Sequence, residues 1–269
     1  MKTFMRLFIP ILMPVCLCIC SLLSRYNLDS TDGIYRWSDY CHIFLRHSVS
    51  IVIFLVIYQT VYVSFMGAKR YSFNFPPLKL VVATAMIMPF LFLTVQYFSF
   101  LFVQLKGGSF EIDAEVESRL VPLLFGTLEA VFFAPVLEEL SMRVMMISQA
   151  QTRKGIVFAV IVSTLLFSIL HLDHFISHLL TGGLYALALI TTKNIWCPIL
   201  CHALYNLSIS CLGIIQYCNP SLIETDVATG IVRANGMVVI AFAILFLGGI
   251  TLILRNKALI SFMFQESMS

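Results

Sequence analysis

Charge is scarce in this chain. Asp, Glu, Lys and Arg make up 12% of the 269 residues, against 59% apolar residues and a mean hydropathy of +0.93. That composition is not water-soluble, and so little charge excludes an intrinsically disordered chain. Period-two alternation is missing too: the apolar residues run on uninterrupted, which excludes a transmembrane β-barrel. The sequence contains no CxxC pair, no Cys/His zinc spacing, no internal repeat and no low-complexity tract. A transporter built on inverted repeats therefore gains no support.

What is present is a succession of apolar runs, at about 7–23, 48–66, 80–103, 120–147, 156–171, 175–191, 196–216 and 236–254. A helix needs about 20 apolar residues to cross a hydrocarbon core of roughly 30 Å. These runs predict an all-α, polytopic membrane protein of about eight transmembrane helices. With the amino terminus in the cytoplasm, the inner segments collect ten basic residues (Lys2, Arg6, Lys69, Arg70, Lys79, Arg153, Lys154, Lys193, Arg255, Lys257) and one acid, Glu266. The outer segments hold six basic and ten acidic residues. This asymmetry obeys the positive-inside rule and places both termini in the cytoplasm. The first run is read as a retained helix rather than a cleaved signal peptide, because no small-x-small site follows it. Most of the eight cysteines lie inside apolar runs and read as small core residues, while Cys41 and Cys218 flank spans on one side, where a bridge is conceivable. The longest connection, 24–47, is too short for a soluble domain.

Three polar clusters interrupt the apolar runs, and an ionisable side chain inside a bilayer costs at least about 2.5 kcal/mol on insertion scales. The fourth run carries Pro135-Val-Leu-Glu138-Glu139-Leu-Ser-Met-Arg143; the fifth ends Phe167-Ser-Ile-Leu-His171; the seventh contains His202-Ala-Leu-Tyr-Asn206. Glu139 and Arg143 are four residues apart, on one helical face, and can pair. Glu138 is turned about 100° from its neighbour and stays free for proton transfer. His202 and Asn206 present an imidazole and an amide to one point, which suits a developing oxyanion. Phe167 lies one turn before His171 and is placed to pack on its ring or roof the site. Each cluster also has a structural counterpart, since Glu/Arg pairs, lone histidines and asparagines also hold membrane helices together. It is their occurrence together that favours a site. Glu129 reads as helix glue or a cavity-lining group, and the acidic stretch Glu111 to Glu117 as a solvated loop.

The ordered set Glu138-Glu139-x-x-x-Arg143, Phe167-x-x-x-His171 and His202-x-x-x-Asn206 resembles the three signature motifs of the CPBP family. That family includes the type II CAAX prenyl endopeptidases and bacterial relatives linked to bacteriocin processing and self-immunity. The likeness spans residues from about 120 to 210. Met142 and Val144 stand where the family often has Phe and Gly. The resemblance implies an intramembrane glutamate-dependent endopeptidase in which Glu138 and His171 activate water. It further implies that Glu139 and Arg143 hold their helix in register, and that His202 with Asn206 stabilises the oxyanion. The expected substrate is a membrane-associated protein or peptide, prenylated if the host prenylates proteins; no nucleic-acid partner is expected. The expected location is a bacterial inner membrane or a eukaryotic endoplasmic reticulum membrane. No cofactor is expected, although Glu138, His171 and His202 would be the ligands if zinc were used.

HExxH and GxGD are absent, and Gly107-Gly108-Ser109 lies in a polar loop, so site-2-type, presenilin-type and rhomboid-type chemistries find no support. The histidine stripe His171, His174 and His178, with Asp173 beside it, falls at the break between two short runs, and His174 and His178 are expected to lie outside the site. In a straight-helix drawing Glu138, His171 and His202 sit at different depths. The reading therefore requires the fifth helix to end inside the protein and 171–178 to form broken backbone against a water-filled cavity made by the fourth, fifth and seventh runs. The expected organisation is three amino-terminal spans at 1–119, a catalytic core at 120–216, and an outer loop with a final span at 217–269. The alternative is a membrane transport or immunity protein in which the Glu/His cluster only packs helices.

Overall fold

The computed structural model describes residues 37–60, 71–105, 120–150, 152–219, 223–226, 231–234 and 236–256. The expected first span at 7–23, the acidic stretch from Glu111 to Glu117, the Gly107-Gly108-Ser109 loop and the chain beyond 256 lie outside the described residues. The fold is helical, with one short hairpin. Helix α1 is Trp37–Ile57 and α2 is Leu78–Leu105. Helix α3 runs continuously over 120–148 as Leu120–Leu128, a wide π-type stretch Glu129–Phe133, Ala134–Glu138, a second wide stretch Glu139–Met145, and Met146–Ser148. Helices α4 (Arg153–Ile169) and α5 (Phe175–Thr192) are separated by a 3₁₀ turn, Leu172–His174. Then come α6 (Trp196–Cys218), the antiparallel strands β1 (Ile223–Asp226) and β2 (Ile231–Ala234), and α7 (Gly236–Leu254).

Local chemistry explains the boundaries. Pro77 precedes α2, and its carbonyl accepts the N–H groups of Leu80 and Val81. Thr152 caps α4, its hydroxyl oxygen accepting the Gly155 N–H at 3.1 Å. The turn from α5 to α6 passes through Lys193 in the left-handed conformation (φ 51°) and Asn194, whose Oδ1 accepts the Trp196 N–H at 2.9 Å. The same turn clasps the approach to α2: Ser72 N–H donates to the Lys193 carbonyl, Asn194 Nδ2 to the Asn74 carbonyl, and Trp196 Nε1 to the Phe73 carbonyl. The start of α2 and the α5–α6 turn thus share one end of the bundle, as helices crossing in alternation require.

Four helical stretches among the described residues are long and apolar enough to cross a membrane: Leu78–Phe98, Phe175–Thr192, Trp196–Ile215 and Gly236–Leu254. Eight were expected. The difference has three sources besides the undescribed first run. The apolar stretch His47–Thr60, which begins in α1 and runs past its end, is short; α4 has only 17 residues; and α3 is interrupted by Glu129, Glu138, Glu139 and Arg143. The core is divided among an α3/α5/α6 cluster around Val144, Met145 and Leu189, an α2/α5/α6 cluster around Phe92, Tyr185 and Tyr205, and a small group of Met142, Met146 and Phe167. On the outside, α7 meets α2 at close range. A Cβ on Gly249 would stand 2.7 Å from the Ala83 carbonyl oxygen, so only glycine fits there. The rest of α7 turns Ile240, Ile244 and Leu247 outward, as a helix facing lipid does.

Candidate active site

The site begins with an irregularity in the α3 backbone. In the stretch Glu129–Phe133 hydrogen bonds reach five residues back: the Ala134 N–H donates to the Glu129 carbonyl. The next donor in that pattern would be residue 135, a proline with no N–H, which leaves the Ala130 carbonyl without its helical partner. Asn206 on α6 supplies the replacement, donating from Nδ2 at 2.8 Å. The proline therefore creates an acceptor on α3, and the asparagine three helices later satisfies it. One amide hydrogen and the carbonyl oxygen of Asn206 remain for other partners. Beside this joint, His47 of α1 reaches Glu129, Nε2 to Oε1, at 3.5 Å, and its ring packs against Phe133.

One and two turns further on, α3 carries the charged residues. Glu139 and Arg143 are completely buried, with Arg143 Nη1 3.3 Å from Glu139 Oε1. The contact is ionic without hydrogen-bond alignment; among the described residues none of the guanidinium nitrogens has a hydrogen-bond acceptor. The cation is held instead by aromatic faces, lying 4.0 Å above the Phe167 ring centroid and 5.8 Å from that of Tyr185. Gly182 on α5 makes room for it: a Cβ there would lie 2.8 Å from Arg143 Nη2 and 3.1 Å from Phe167 Cδ1.

His202 joins the two carboxylates. Its Nδ1 is 2.9 Å from Glu139 Oε1 and its Nε2 is 3.7 Å from Glu138 Oε2. A carboxylate only accepts, so Nδ1 carries the hydrogen, and in the neutral ring Nε2 is the acceptor facing Glu138. Tyr185 stacks on the imidazole, centroids 4.7 Å apart and planes 17° apart, and fixes its orientation. Glu138 is more open than its neighbour, with 23% of its side chain exposed.

The second imidazole group stands at the break between α4 and α5. His171 leaves the helix at φ −125°, ψ 56°, and its Nδ1–H donates to the Phe167 carbonyl at 2.8 Å. His178, on the first turns of α5, donates from Nδ1 to the His174 carbonyl at 2.9 Å. The two rings stack with centroids 4.1 Å apart and planes 9° apart. Phe167 stands among three imidazoles, at 4.8 Å from His171, 5.3 Å from His178 and 5.8 Å from His202. The broken backbone is shorter than expected: it is regained at Phe175, so that His178 belongs to a helix.

A cavity of about 180 Å³ opens in front of these groups. His202 and Asn206 of α6, Phe167 of α4, and His178 and Tyr185 of α5 form part of its wall, together with Phe92 and Gln96 of α2. The walls differ from the expected three runs. The charged turn of α3 lies under Phe167 and Tyr185 and is not part of the lining, whereas α2 and α5 contribute directly. Glu138 and His171 are each one side chain removed from the lining, Glu138 through His202 and His171 through His178. Among the described residues Glu138 makes its ion-pair contact with His202 and not with His171. His174 and His178, expected outside the site, border the cavity. Spacing marks His178 but assigns it to the outside, and it does not single out the Glu129 partner His47; the only sequence signal for His47 is an imidazole at the edge of an apolar run.

Glu138, His171 and His202 do not form a zinc set in this arrangement. Among the described residues no group of three or more His, Cys, Asp or Glu is gathered closely enough to hold a metal ion.

No curated protein and no solved structure matches the chain. Residues 120–208, which include all three motifs and every residue of the charged and imidazole groups except His47, do match the model of one protein family, described as type II CAAX prenyl endopeptidase Rce1-like. The chain thus carries an Rce1-like domain over a third of its length, in keeping with a CPBP family protease.

Proposed function

We propose that this protein is an intramembrane endopeptidase that hydrolyses a peptide bond in a membrane-associated protein or peptide, with water activated between Glu138 and His202. The observation that carries the reading is the pair of acceptors, Glu138 Oε2 and His202 Nε2, facing each other at 3.7 Å. Two acceptors require a shared donor, and a water molecule donating one hydrogen to each keeps its lone pairs free for attack on a carbonyl carbon. Glu139 sets the tautomer that makes Nε2 an acceptor, and Arg143 offsets one of the two buried carboxylate charges. Accepting a proton from water brings the group of Glu138, Glu139 and Arg143 to neutrality. Asn206 lines the cavity with an amide hydrogen left for the developing oxyanion, and Phe167 keeps the guanidinium covered. The Rce1-like domain supports the protease class; water activation, metal independence and prenyl recognition belong to this proposal.

The test is cleavage of a farnesylated peptide and its unmodified counterpart by purified protein, with and without a chelator. Wild-type protein is expected to cleave one or both in chelator. Glu138→Ala is expected to lower turnover by at least about a hundredfold while eluting and unfolding like wild type. Full activity in Glu138→Ala overturns the glutamate's role; loss of activity on chelation, restored by stoichiometric zinc, overturns the metal-free reaction.

A further inference from the structure

We propose that His178 is a further catalytic residue, the acid that protonates the leaving amine nitrogen, with His171 stacked behind it as its support. This rests on the endopeptidase reading above. Hydrolysis of an amide needs two proton transfers of opposite sense, one from water and one to the leaving nitrogen, here divided between Glu138 and His178. The donor for the second must border the space where substrate lies. Of the two stacked imidazoles His178 does so and His171 does not. Its Nδ1–H is committed to the His174 carbonyl, so the exchangeable position is Nε2. The stacked rings, 4.1 Å apart and almost parallel, accommodate at most one positive charge between them, because two cations at that distance repel. Phe167 stands edge-on to both His178 and His202.

The protons balance. Glu138 takes one from water as the new C–O bond forms and the carbonyl electron pair moves onto oxygen. The carbonyl re-forms as the C–N bond breaks, and the nitrogen takes the proton from His178 Nε2. The product carboxylic acid then returns a proton to His178, and Glu138 gives its proton to the free amine.

An ester bond distinguishes this role from a packing role, since an alkoxide or aryloxide leaving group depends far less on protonation. A farnesylated peptide with an amide at the scissile position and its depsipeptide analogue with an aryl ester there are the probes. His178→Ala and His178→Gln are both expected to lower amide turnover by at least about a hundredfold with KM unchanged, while ester turnover stays within about threefold of wild type. Glu138→Ala loses both, which separates the two roles. Unaltered amide cleavage in His178→Ala, equal loss on amide and ester, or rescue by glutamine, which donates a hydrogen bond but no proton, each overturns the assignment. Wild-type protein that cleaves neither probe overturns the endopeptidase reading and this one with it.

Discussion

Arg143 and Glu139 have 0% of their side chains exposed, so each would be an isolated buried charge without the other. Removing one partner of such a pair costs about 3–5 kcal/mol, whereas replacing both by apolar or neutral groups is far cheaper. Arg143→Met is therefore expected to lower the unfolding temperature in detergent more than the double substitution Glu139→Gln with Arg143→Met. A single variant no less stable than the double one would show that the aromatic faces, not the charge pair, hold the guanidinium. At this scale the sequence was informative where chemistry was anomalous. Two acids and an arginine in an apolar run are conspicuous, and their four-residue spacing foretells the observed 3.3 Å contact. Tyr185 was not legible because nothing about it is unusual in its own helix, and His178, though conspicuous in the histidine stripe, carried no sign that it borders the cavity. They matter through what α5 packs against, and local spacing does not encode that. His202 was legible as a polar residue in a span, but its contact with both carboxylates depends on how α6 lies on α3.

Among the elements, α3 shows most clearly how a local rule breaks for a purpose. Periodicity predicts a regular helix over 120–147; the structure has two wide stretches with Pro135 between them. A proline in a helical run is visible to anyone reading the sequence, but which carbonyl it strands depends on the five-residue hydrogen bonds that precede it, and those cannot be read from composition. Pro135→Ala restores an N–H at that position, which then competes with Asn206 for the Ala130 carbonyl. Freed from its anchor, the Asn206 amide loses its fixed position. Turnover is expected to fall by up to about tenfold, the worth of one hydrogen bond, with KM little changed. An unchanged turnover would indicate that the amide is held by its own helix rather than by α3. The break after α4 followed from the sequence for a different reason. A span of about sixteen residues ending in histidine cannot place that histidine beside Glu138 unless the helix stops early, and the chain does leave the helix at His171. The length of the break was overestimated, since a histidine stripe at three- and four-residue spacing is equally good helix.

For the whole molecule, charge distribution and helix order make a joint prediction. Arg153 opens α4 beside a loop expected on the inner side, and Cys218, a free exposed thiol, closes α6 at an end expected on the outer side. In a variant that keeps Cys218 as its one cysteine, a membrane-impermeant maleimide is expected to react from the outer face of intact cells. In a variant whose one cysteine is Arg153→Cys, the same reagent is expected to react only after permeabilisation. The reverse pattern would invert the proposed orientation. Class and approximate helix positions were legible from hydropathy; the walls of the cavity were not, because Phe92 and Gln96 of α2 read as ordinary residues of a long apolar run. The joint between Asn206 and Ala130 sets a further condition on the assembly. Sliding α6 along α3 by a single residue would strand a bare oxygen in oily surroundings, so the two helices have one permitted alignment. The separation of acid and imidazole is consequently settled when the protein folds, before any peptide arrives, and a substrate meets finished machinery instead of assembling it.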